Sequence, residues 1–97
     1  MTFSIVVMYN GVKWVDKSIK SLVDSTIKDH NILVIDNGST DETSTLISAH
    51  YPTVGIIKTG SNLGFGKANN IGIKKAFDAD ADYVFLLNQD AWVEEDT

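Results

Sequence analysis

Residues 83–93 read YVFLLNQDAWV, and this stretch decides the fold. It opens as an unbroken apolar run, turns polar at Asn88, Gln89 and Asp90, and becomes apolar again at Ala91, Trp92 and Val93. A short continuous run of apolar β-formers is the pattern of a strand buried on both faces of a sheet. A carboxylate placed right after such a strand stands at the sheet's carboxyl edge, where open α/β sheets bind their ligands. Asp90 is thus a candidate for work that needs oxygen ligands or negative charge.

Working outward, the same pattern recurs upstream. FSIVVM, residues 3–8, runs into Tyr9, Asn10 and Gly11, and NILVI, residues 31–35, runs into Asp36, Asn37 and Gly38. A third run, residues 54–58, precedes the glycine-containing loop TGSNLGFG, residues 59–66. Helical spacing fills the intervals. A helix over residues 12–27 would bury Val15, Ile19, Leu22, Val23 and Thr26 and keep Lys13, Lys17, Lys20 and Asp24 wet. A second, capped by Ser39 or Thr40, would run to about His50, bury Leu46 and Ile47 and end before Pro52. A third, over residues 67–79, sets Ala68, Gly72, Ile73 and Ala76 on one face, small enough for helix and sheet to approach closely. Alternating strands and helices predict an α/β fold: a Rossmann-like parallel sheet with helices on both faces and right-handed crossovers. The loops at Tyr9–Asn10, 36–41 and 88–90 would then gather on one edge.

Composition narrows the function. The chain has 97 residues, enough for one domain with a modest core. Eight basic residues, all lysine, stand against 13 acidic ones for a net charge of −5, which argues against a nucleic-acid surface, since that would need a basic stripe. There is no cysteine, so no disulfide framework and no thiolate chemistry. His30 and His50 alone do not make a His-rich zinc site. Residues 1–3 run straight into a strand without a basic leader, and no apolar run approaches the roughly 20 residues that span a bilayer. A cytoplasmic location is the expectation, with the inner face of the membrane open to a longer protein. Glu94, Glu95 and Asp96 read as a solvated acidic helix start, and Trp14 and Trp92 as core or interface residues.

Three groups carry candidate chemistry. Asp36 precedes its turn and could accept hydrogen bonds from a nucleobase or ribose, although Asp, Asn and Gly also favour turns for local reasons. Gly64 and Gly66 lie between a strand and a helix, where glycine lets backbone approach a ligand and a helix N-terminus favours an anion. That loop resembles a dinucleotide fingerprint, but Asn69 holds the third glycine position and the loop follows the third strand. Asn69 and Asn70 are poor helix formers, which points to hydrogen bonds with neighbouring loops. Asn88, Gln89 and Asp90 could bind Mg²⁺ or Mn²⁺ by one carboxylate, neutral oxygens and a substrate diphosphate, or could form a strand-end turn capped by Asp90. A NAD-type cofactor module of an oxidoreductase and a non-catalytic α/β interaction domain remain alternatives at this level.

Taken in order, VVMYN, Ser21-Leu22, VIDNGSTDET, SNLGFGKANNIGI and ADYVFLLNQDA resemble the N-terminal, nucleotide-binding half of a family 2 glycosyltransferase of GT-A fold, most closely the rhamnosyltransferase-like branch. The resemblance covers nearly the whole chain. It implies that Tyr9 and Asn10 line the nucleotide pocket, that Asp36, with Asn37 beside it, hydrogen-bonds the base, and that Asn62, Gly64 and Asn69 shape the nucleotide and sugar side. Asp90 matches the last acid of the family's DxD-type metal motif, and Asn88 replaces the first, leaving an amide for ribose or sugar. The implied reaction is inverting hexosyl transfer from a nucleoside-diphosphate sugar to a saccharide or lipid-linked hydroxyl in polysaccharide or glycan synthesis. The family's general base is expected beyond Thr97, so no catalytic residue is assigned within residues 1–97. By the same resemblance the chain looks truncated at its C-terminus. Alone it is expected to bind nucleotide weakly, turn nothing over and present an edge prone to self-association.

Overall fold

The computed structural model describes residues 1–27 and 29–90. The expected apolar return at 91–93, with Trp92, and the acidic helix start at 94–96 lie outside the described residues. Each apolar run is a strand: β1 (Thr2–Met8), β2 (His30–Asp36), β3 (Gly55–Lys58) and β4 (Tyr83–Asn88). All pairings are parallel and the spatial order is β3-β2-β1-β4. The helices are α1 (Val15–Val23), α2 (Thr43–His50) and α3 (Phe65–Asp78).

The strand period of two sorts the side chains into two cores. Val6, Met8 and Val34 pack on Val15, Ile19 and Leu22 of α1 and Ile47 of α2. Ile5, Val7, Leu33 and Ile35 pack on Ala68 and Ala76 of α3. Helices therefore cover both faces, as the alternation of elements predicts. Small residues on α3 do what they were expected to do: a Cβ on Gly72 would come within 2.5 Å of Ile5 Cγ2. Trp14 packs partly buried against the α1 side of the core, as expected.

Four expectations change. β4 is not buried on both faces. It is an edge strand, with Phe85 54% and Leu86 51% exposed, because α1 and α2 cover one side of the inner strands, α3 lies chiefly over β1 and β2, and no described strand pairs beyond it. The first helix is shorter than residues 12–27. A 3₁₀ turn, Val12–Trp14, leads into α1, which stops at Val23 where Asp24, Ser25 and Thr26 weaken helix propensity. Val23 and Thr26 are accordingly exposed. α2 starts at Thr43, not after Ser39 or Thr40: Asp41 Oδ1 accepts the Thr43 amide at 3.0 Å, while Ser39 Oγ is taken by the Asn10 amide at 2.9 Å. α3 begins at Phe65, so Gly66 lies inside it and Gly64, at φ 88°, is its N-cap. Its buried stripe is Ala68, Asn69, Gly72 and Ala76; Ile73 turns outward.

Candidate functional site

Asp36 is the last residue of β2, one position earlier than the sequence suggested. Its register partners are Met8 on β1 and Lys58 on β3, so all three side chains leave the sheet on the α1 and α2 side. The Asp36 residue is only 4% exposed. One carboxylate oxygen, Oδ1, accepts the Ser39 amide at 3.1 Å, and no described group donates to Oδ2. Beside it opens a polar cavity of about 350 Å³, lined by Asp36, Gly38, Thr40, Asp41, Ser44 and Lys58 among others. Gly38 has to be glycine: its φ is +84°, and a Cβ would come within 2.6 Å of the Ser61 backbone. Burial pushes the Asp41 carboxyl up, but hydrogen bonds from the Thr43 hydroxyl and amide and the Val12 amide outweigh it and hold the group below its usual value.

The asparagines expected to line a nucleotide pocket hydrogen-bond the loops of this edge to one another. Asn10 adopts φ 47°, and its Oδ1 accepts the Thr40 amide at 2.8 Å and the Asp41 amide at 3.3 Å. It thereby stitches the loop after β1 to the loop after β2. Asn37 does the same on the other side. Its Nδ2 donates to Asn62 Oδ1 at 3.1 Å and to the Gly64 carbonyl at 3.4 Å, and its Oδ1 accepts the Leu63 amide at 2.9 Å. Asn62 Oδ1 also accepts the Gly64 amide at 2.9 Å. Asn69 is buried on the inner face of α3. Tyr9 projects into solvent beyond β1.

At the far side of β1, Asn88 ends β4 in register with Val7, on the α3 face of the sheet. Asp90 is exposed in the turn that follows. Among the described residues no three or more His, Cys, Asp or Glu side chains converge as a metal cage. A hard cation fits this edge only with one exposed carboxylate, a neighbouring amide oxygen and oxygens supplied by its substrate. Two residues here were read from sequence as part of the cation loop and of the turn after β1, but their contact was not foreseen. Gln89 Oε1 accepts the Tyr9 amide at 2.8 Å, and Gly11 sits buried beneath it. Neither contact has a periodic signature, since the partners come from opposite ends of the chain. Lys58 was likewise seen only as a strand end, and Asp41 only as the last residue of the 36–41 loop.

Residues 4–97 match the family model described as "Glycosyl transferase family 2". An N-acetylglucosaminyl-diphospho-decaprenol L-rhamnosyltransferase of Mycobacterium tuberculosis is 36% identical over 66 residues, which is 68% of this chain and 22% of that protein. The crystal structure of S. aureus TarS 1-349 in complex with UDP-GlcNAc superposes with a TM-score of 0.84 at 24% identity, over 98% of this chain and 28% of that one. The mannosyltransferase PcManGT from Pyrobaculum calidifontis, in complex with GDP-Man and Mn2+, gives a TM-score of 0.77 at 19% identity, over 94% of this chain and 28% of that one. The first curated relatives are much longer, and the chain spans between 13% and 22% of their length.

Proposed function

The chain belongs to glycosyl transferase family 2, and from that premise we propose that it is the donor-binding half of an enzyme that moves a sugar from a nucleoside-diphosphate sugar to an acceptor hydroxyl with inversion. One observation carries the reading: a buried carboxylate, Asp36, keeps an oxygen free beside a polar cavity at the carboxyl edge of a parallel sheet. A nucleobase N–H donated to a desolvated carboxylate is a strong, charge-assisted hydrogen bond. β2 and β4 flank β1. Their ends therefore lie about 10 Å apart, two strand spacings, a gap that a nucleoside diphosphate can bridge. The base is placed at Asp36 and the diphosphate toward Asn88 and Asp90, with Tyr9 between them. Asn10, Asn37, Asn62 and Gly64 hold the rim, and Asn69 lies buried on α3.

In the reaction the acceptor oxygen forms a bond to the anomeric carbon as the bond from that carbon to the diphosphate breaks. The acceptor proton passes to a base, which is not assigned to any described residue. Asp90, with the Asn88 amide oxygen, would hold a divalent cation, Mn²⁺ or Mg²⁺, which when bound offsets charge gathering on the leaving diphosphate. The Mn²⁺ in the PcManGT complex and the UDP-GlcNAc in the TarS complex support this reading. A saccharide or lipid-linked acceptor is proposed from the decaprenol-linked substrate named for the M. tuberculosis relative.

Calorimetric titration with UDP, dTDP, GDP and NAD, with and without Mn²⁺, tests the proposal. Binding of a nucleoside diphosphate that tightens with Mn²⁺ is expected. NAD binding independent of metal, or no binding to any of the four, would sink it.

A further inference from the structure

We propose that Gln89 is a positioning residue, which holds the turn carrying Asn88 and Asp90 against the end of β1, and that Gly11 is glycine in order to admit it. The proposal rests on the reading of Asp90 as a cation ligand. Among the described strands β4 pairs with β1 alone, so the turn after it has a described strand on one side. The β1–β4 ladder stops at Val7 and Asn88. Beyond it the Tyr9 amide donates not to a β4 carbonyl but to Gln89 Oε1, at 2.8 Å. The side chain replaces the missing rung and ties the turn to β1.

Gly11 carries the second, independent observation. Its φ of −105° and ψ of 24° are open to any residue, so backbone freedom does not explain the glycine. Space does. A Cβ there would overlap Gln89 Oε1, lie 3.0 Å from Gln89 Cδ and press on Met8 Cε at 3.3 Å. The Gly11 amide donates to Thr43 Oγ1 at 3.1 Å. The residue that makes room for Gln89 is thus pinned to the start of α2.

The test compares wild type, Gln89→Leu, Gln89→Glu and Gly11→Ala in UDP titrations with and without Mn²⁺. Support beneath a metal ligand is worth about 10- to 100-fold in affinity. Gln89→Leu and Gly11→Ala should therefore lower the ratio of affinities with and without Mn²⁺ by about tenfold. Gln89→Glu still accepts the Tyr9 amide and should keep the ratio within about threefold. Amide exchange gives a second readout: Tyr9 N–H should be protected in wild type and Gln89→Glu and exposed in Gln89→Leu. A Gln89→Leu protein that keeps the full wild-type ratio, or a wild-type Tyr9 amide without protection, overturns the proposal. Wild type that binds UDP but gains nothing from Mn²⁺ overturns the reading of Asp90 and this proposal with it. The wild-type ratio therefore tells the two failures apart.

Discussion

Asp36 combines burial with an oxygen to which no described group donates, and the two together set what its replacement should do. Asp36→Asn keeps an oxygen for the Ser39 amide but loses the charge. Nucleotide affinity should fall by about 1.5–3 kcal/mol, the worth of a hydrogen bond to a charged group, while the urea midpoint moves little. Titration calorimetry beside urea denaturation checks both. His30 offers a pH test remote from the site. Burial lowers its pKa against a smaller opposing effect of the Leu22 carbonyl, and its ring nitrogens meet Ser4 Oγ at 2.6 Å and Ser25 Oγ at 3.3 Å. The fold thus favours neutral His30, and the unfolded chain binds the proton more readily. Stability should be complete above 6.5, the unperturbed value, and decline as pH falls from there toward the lower folded value. Urea midpoints at about pH 7.5 and 5.5 should separate in wild type and close up in His30→Gln. The strand-end positions of Asp36 and Asp90 were legible in the sequence, because each closely follows an apolar run that reads as a strand. The roles of Asn10 and Asn37 were not, because an amide's partners are chosen by the folded chain and leave no local mark.

Among the elements, β1 and β4 are equally apolar in sequence and opposite in energetic weight. Ile5 is fully buried beneath Gly72, whereas Phe85 is 54% exposed. Ile5→Ala should cost about 2–5 kcal/mol by cavity formation. Phe85→Lys should change stability by no more than about 0.5 kcal/mol. Gly72→Ala should cost about 1–3 kcal/mol by overpacking against Ile5. Chemical denaturation of the three variants ranks them, and a large loss in Phe85→Lys would show that β4 is covered after all. The existence and type of the elements were readable from periodicity, as were the two helical layers. The place of β4 in the sheet was not. An apolar run says that a strand can be buried, and only the strand order says whether it is. The end of α1 at Val23 was missed for a related reason, since Val23 and Thr26 continue the helical spacing while Asp24 and Ser25 weaken the helix between them.

For the molecule as a whole, the carboxyl edge behaves as one hydrogen-bonded rim. Gln89 holds the β1 loop, Asn10 joins that loop to the one after β2, and Asn37 joins that in turn to the glycine loop before α3. Asn37→Ala removes the acceptor of the Leu63 amide and the donor to Asn62. It should cost about 1–3 kcal/mol and speed amide exchange at Leu63, read by hydrogen exchange without ligand. Alternation of strands and helices was enough to place these loops on one edge. It could not show that they are bonded to one another. If the domain binds a nucleotide as proposed, a practical division follows for altering which one it accepts. On the proposed reading, an alanine scan scored by affinity alone should rank Asn10 and Asn37 with Asp36, since all three losses should weaken binding. The two asparagines bond the loops to one another, so exchanging them should loosen the wall as well as any contact they make with a ligand. The positions to randomise are those whose side chains face the cavity, Thr40, Ser44 and Lys58, with the asparagines left untouched so that each new surface is displayed on the same frame.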